Sequence, residues 1–212
     1  MSGLVAFISI IAALGVGVVS PGPSFVFVAR TAVALSRADG VAAAVGMGIG
    51  AILFAGLALV GLQAVLAEVT SLGIVLKLLG GAYLIYLAIR LWRGADVPIA
   101  ALSTIAGRHG LLRSFALGFA TQVSNPKAAI VYGGIFAALL PPAPPLWMMA
   151  ALPPAILTLE VGWYAIVALA FSSERPRTAY LRSKRWIDRI AGAVIGALGV
   201  RLVVDGMGRS TS

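Results

Sequence analysis

Two charges stand alone inside long apolar stretches of this chain: Lys127, directly after Ser124-Asn125-Pro126, and Glu160, in LTLEVGWY. A charge at the centre of a membrane helix costs about 2.5 to 3.5 kcal/mol on insertion scales and usually faces the interior of a helix bundle. Both residues are therefore candidates for chemistry. A carboxylate that takes up and releases a proton could couple solute movement to a proton gradient, and its protonation would free a neighbouring ammonium. The alternative is a pair that only holds consecutive helices together, each charge lowering the other's desolvation cost.

The neutral polar groups nearby suit a small solute. Ser20, Pro21, Gly22, Pro23 and Ser24 interrupt the first apolar stretch, and Gln122, Ser124, Asn125 and Pro126 lie in the fourth. Serine hydroxyls, two amides and unwound backbone supply both donors and acceptors. Such a set fits a zwitterion, because helix N-termini after Pro23 and Pro126 aim positive dipole ends at a carboxylate while carbonyls before the breaks accept from an ammonium. The other reading of each proline is a kink in a packed helix. Tyr132 and Tyr164 either line the same cavity or serve as packing groups.

The elements that must position these residues are membrane helices. Of 212 residues, 60% are hydrophobic and 11% charged, and mean hydropathy is +1.02, far more apolar than an average soluble domain. A helix needs about 20 residues to cross the hydrocarbon core. Six apolar runs reach or approach that length, at about 4–30, 41–67, 71–92, 114–140, 146–171 and 190–207. Irregular backbone at membrane depth is tolerated only where it is buried in protein or lines a cavity. Prolines that break two runs at corresponding places in two halves therefore point to a central binding site, as in transporters.

Two stretches recur in the same order. Leu14-Gly15 precedes Pro23 by the spacing at which Leu117-Gly118 precedes Pro126, and GAYLIYLAIRL from Gly81 resembles GAVIGALGVRL from Gly192. The expected fold is all-α: one membrane domain over 1–212, built from two three-helix repeats at about 1–95 and 110–208. An odd number of spans per repeat gives the halves opposite orientation in the bilayer. Lys and Arg gather in the first, third and fifth connections, from Arg30 and Arg37 through Arg90, Arg93, Arg108 and Arg113 to the run between Arg175 and Arg189, while the second connection and the PPAPP segment have none. Cytoplasmic loops carry that excess, so both termini are expected outside. Arg90, Arg201 and Lys77 read most simply as side chains snorkelling to the interface.

Several classes of function fall away. The net charge of +9 is spread over short connections between apolar runs, which argues against nucleic acid as a partner. With no cysteine and one histidine, His109, neither thiolate nor His-rich metal sites are expected, nor any cofactor. His109 reads as a solvated loop residue. The N-terminal stretch lacks a charged n-region and runs into a broken continuation, so it is expected to be retained. Asp39 and Asp188 read as stabilisers of helix N-termini. Glycine-rich spans, such as Gly46, Gly48, Gly50 and Gly56, favour close helix packing and allow a homodimer. A membrane-embedded enzyme is the alternative class, since Ser124 and Lys127 are three residues apart, although Pro126 breaks the turn between them; a membrane scaffold is another.

The chain resembles the LysE/RhtB translocators, bacterial exporters of amino acids and related metabolites, over nearly its full length. The resemblance rests on SPGPS at 20–24, LLGGAYLIYLAIRLWRG at 78–94, GFATQVSNPKAA at 118–129, EVGWY at 160–164 and IDRIAGAVIGALGVRL at 187–202. It implies a six-span protein of the bacterial inner membrane that is not an enzyme and that drives efflux with the proton gradient. Many relatives have Asp or Asn directly after the proline-glycine-proline element, where this chain has Ser24. A coupling carboxylate therefore falls to Glu160, with Asp39 and Asp188 as lesser candidates.

Overall fold

Proline placement divides the first and fourth apolar runs. The computed structural model describes residues 2–68, 70–96, 110–171 and 173–208, and all its regular structure is helical. The order is α1 (Gly3–Val19), α2 (Pro23–Ala34), α3 (Arg37–Glu68), α4 (Thr70–Gly94), α5 (Leu111–Val123), α6 (Pro126–Leu139), α7 (Leu146–Phe171) and α8 (Glu174–Gly208). Pro23 and Pro126 each take the first helical position, where a missing N–H costs nothing because that group has no intrahelical partner. Helices α1 and α2 meet at a bend of 56°. The element order is thus the same twice: a broken pair followed by two longer helices.

Among the described residues, three helices are long and apolar enough to cross a membrane, or four if the bent α1–α2 pair is one span. The solvent this surface suits is lipid. Leu57, Val60, Ile166 and Val204 are each more than half exposed, an apolar exterior that water would not tolerate over so large an area. The fifth expected run coincides with α7, whereas α8 begins well before residue 190. The charged stretch from Glu174 to Arg189, expected to be a connection, is helical. Asp188 consequently sits mid-helix and caps no helix start. Asp39 does occupy the first turn of α3, where its N–H donates to Ser36 Oγ at 3.0 Å, and it also accepts from Ser114 Oγ at 2.8 Å. Arg108, His109 and Arg209 lie outside the described residues, as does the side chain of Lys77.

Glycines set the helix crossings. A Cβ at Gly46 would overlap the Phe115 carbonyl oxygen, and one at Gly118 would overlap that of Ala43. Backbones of α3 and α5 therefore touch. The stripe Gly46, Gly48 and Gly50 is filled within the chain, by α5 on one side and by Leu157 and Val161 of α7 on the other. Asp39 faces Ser114, Ala43 faces Gly118 and Gly50 faces Gln122, so α3 and α5 run parallel. Gly40 faces Ala168 while Gly48 faces Leu157, so α3 and α7 run antiparallel. Between α4 and α8, a Cβ at Gly81 would come within 2.7 Å of Gly199 O, and one at Gly192 within 3.1 Å of Ala88 O. These two helices are also antiparallel.

Candidate functional site

The two breaks meet. Ser20 ends α1 and Gly22 precedes α2; Ser124 ends α5 and Asn125 caps α6, its side-chain oxygen accepting from the Lys127 N–H at 3.0 Å. Across the junction, Ser24 Oγ donates to Gln122 Oε1 at 2.7 Å and accepts from Asn125 Nδ2 at 2.9 Å. All three side chains are buried, and the Ser24 hydroxyl joins the two amides. The Lys127 ammonium passes over Gly22, where a Cβ would come within 3.4 Å of Nζ, and donates to the Ser20 carbonyl at 3.0 Å. A cation thus meets the negative end of α1.

Glu160 is buried on α7. Its Oε1 accepts from Tyr132 OH at 2.9 Å and from Gln122 Nε2 at a long 3.5 Å, while Oε2 is buried without a partner. No ion pair joins Glu160 to Lys127, although both line one small cavity of about 30 Å³ together with Tyr132 and Tyr164. That space holds a water molecule or two and no amino acid. The direct ion pair contemplated from sequence is replaced by separate partners: a phenol for the carboxylate and a backbone carbonyl for the ammonium.

A larger cavity of about 390 Å³ lies on the other side of the breaks, between Pro21, Gly22, Pro23, Asn125, Pro126 and Lys127 and the helices α4 and α8. Its volume falls in the range of small-molecule sites. Gly22, Asn125 and Lys127 border both cavities, so the breaks form the wall between them. Ser20, Ser24 and Gln122 face the small cavity, and Pro21, Pro23 and Pro126 the large one. Ser124 borders neither and is exposed, and no hydrogen bond joins its hydroxyl to Lys127, which leaves the enzyme reading without a nucleophile–base contact.

Sequence reasoning counted Lys184 only among the basic connections and weighed Asp188 only as a helix-start residue and lesser coupling carboxylate. Asp188 Oδ1 accepts from Ser20 Oγ at 3.1 Å, and Oδ2 pairs with Lys184 Nζ at 2.8 Å. Lys184 also donates to the carbonyls of Gly94 and Ala95 at 2.8 and 3.2 Å, closing the end of α4. Ser20 therefore links both breaks to α8, by its carbonyl to Lys127 and by its hydroxyl to Asp188. Arg90, expected to snorkel, lines the large cavity. The signal available was the i, i+4 spacing of Lys184 and Asp188, which means a pair only if the residues are helical.

Discontinuous helices that meet at a buried polar junction, inside an apolar exterior, define a membrane transporter. The chain belongs to the LysE type translocator family, whose model matches residues 15–206. It is 33% identical over 198 residues to the threonine efflux protein of Salmonella typhimurium, covering 90% of this chain and 93% of that one. The threonine efflux protein of Escherichia coli is 33% identical over 196 residues, with the same coverage. A leucine efflux protein of Klebsiella pneumoniae is 26% identical over 194 residues, 85% of this chain and 84% of its own. No solved structure matches significantly.

Proposed function

We propose that this protein is a secondary exporter of amino acids or related small metabolites in the bacterial inner membrane, driven by the proton gradient. The observation that carries the reading is the meeting of two helix breaks at a wall between two cavities. Such a wall can open to one side or the other without unfolding either helix pair. The efflux function named for the threonine and leucine relatives supports an amino acid as the solute.

Six spans in two inverted repeats suit this mechanism. Aligning the two similar stretches maps Gly81 onto Gly192 and Ala88 onto Gly199. The contact of Gly81 with Gly199 then maps onto that of Gly192 with Ala88, and both occur. A two-fold axis exchanges contacts in this reciprocal way. The parallel and antiparallel pairs agree with alternating spans in which each broken pair crosses once, and the basic connections place both termini outside.

Glu160 carries the coupling proton in this reading. Glu160 lines a space sized for water, Tyr132 holds its Oε1 and its Oε2 has no partner, so one oxygen is fixed and the other is left for a proton. Lys127 forms part of the solute site and responds to the carboxylate through the small cavity. The test is efflux of labelled amino acids from proteoliposomes with and without an imposed pH gradient. Glu160→Gln is expected to abolish gradient-driven efflux while leaving exchange of solute across the membrane without a gradient. Gradient-driven efflux that persists in Glu160→Gln would move the coupling proton elsewhere, and movement of no amino acid by the wild type would remove the export reading.

A further inference from the structure

The large cavity is charged unevenly. Arg90, Lys127 and Lys184 bring three cationic groups to its wall, and among the described residues Asp188 is the only carboxylate that lines it. Glu160 lies on the other side of the breaks. A second positive charge on a solute side chain would find no anion of its own here, whereas an α-carboxylate finds Lys127 and Arg90. The α-ammonium has one possible counter-ion.

We propose that Asp188 is the seat of the substrate ammonium and that the cavity selects neutral amino acids over cationic ones. The proposal rests on the export reading above and names the solute class of that same site. A carboxylate offers about four acceptor positions on its two oxygens. Ser20 and Lys184 occupy one each, which leaves acceptor positions on both oxygens. Lys184 is held by three acceptors, Gly94 O, Ala95 O and Asp188 Oδ2, and thereby fixes the carboxylate at the cavity wall. Ser20 sits at the break itself, so an ammonium bound at Asp188 lies one hydrogen bond from the residue whose carbonyl holds Lys127. The two ends of a zwitterion would then span the first break, ammonium towards α8 and carboxylate towards α6.

The experiment uses the full chain in proteoliposomes. Uptake of labelled threonine, leucine and lysine is compared, with competition by unlabelled leucine and by its 2-hydroxy acid, which keeps the carboxylate and side chain but lacks the ammonium. Loss of a hydrogen bond to a charged group corresponds to about tenfold or more. The wild type is expected to move a neutral amino acid at least about tenfold faster than lysine, whose second cation is set among like charges. It is also expected to prefer leucine over the hydroxy acid by a similar factor, and Asp188→Asn should collapse that preference. A role confined to bracing α8 would lower all rates together and leave the ratio unchanged, which would overturn the proposal. Lysine flux equal to that of the neutral amino acids would overturn it alone, and this comparison needs only the wild type should Asp188→Asn fail to fold. Movement of no amino acid would remove both the export reading and this inference.

Discussion

A buried carboxylate with one held and one open oxygen is costly, and Glu160 is tolerated because Tyr132 and Gln122 satisfy half of it. Hydrogen bonds between membrane helices average about 0.6 kcal/mol and reach about 1.7. Ser24 makes two of them, to helices on the other side of the junction. Ser24→Ala is therefore expected to lower stability by about 1 kcal/mol and to leave Asn125 Nδ2 without its acceptor; thermal unfolding in detergent measures it. Tyr132→Phe removes the phenol from Glu160 while preserving the ring. The expected outcome is slower gradient-driven efflux with little change in exchange, since the proposed coupling carboxylate loses its fixed geometry and the proposed solute cavity on the other side of the breaks does not.

Among the helices, glycine decides which pairs come close. Gly46 and Gly118 face backbone oxygens across the α3–α5 crossing, so neither neighbour can yield by a rotamer change. Overpacking of this kind costs about 1 to 3 kcal/mol. Gly46→Ala and Gly118→Ala should each lower the melting temperature and impair transport, because α5 carries Gln122 into the site. Gly133 and Gly162 have no atom within reach of an added Cβ and lie in helix interiors. Alanine at either should instead stabilise by about 0.5 to 1 kcal/mol. Equal losses at all four positions would show that these crossings do not govern stability. The breaks belong to the same scale: prolines at the first positions of α2 and α6 end one helix and start another, and the polar cap of Asn125 makes the second start possible.

For the molecule as a whole, the proposed inverted arrangement and orientation make a prediction that its composition leaves easy to test. The chain has no cysteine, so single introduced thiols can be labelled without background. Ser173 lies exposed between α7 and α8, and Ala143 lies exposed in the proline-rich connection before α7. A membrane-impermeant maleimide added to intact cells should label Ala143→Cys and spare Ser173→Cys, with the reverse in inside-out vesicles. The opposite pattern would invert the proposed orientation and with it the side on which the large cavity opens.

The sequence alone determined the membrane class, the two breaks and the residues that flank them. Long apolar runs have one stable solution in lipid, and a proline in such a run has few places to go. Ser20, Ser24, Gln122, Asn125, Lys127 and Glu160 were legible for the same reason: a polar group stands out against an apolar segment. The place of Asp188 and its pairing with Lys184 were not, because both sit in a stretch rich in charge, where Asp188 read only as a lesser candidate near a helix start. Only the tertiary structure continued α8 through that stretch and turned Asp188 towards Ser20. It also decided that Glu160 and Lys127 hold other partners. Depth along a helix can be counted from sequence, but the direction a side chain faces depends on helix rotation, which close glycine contacts between distant segments fix.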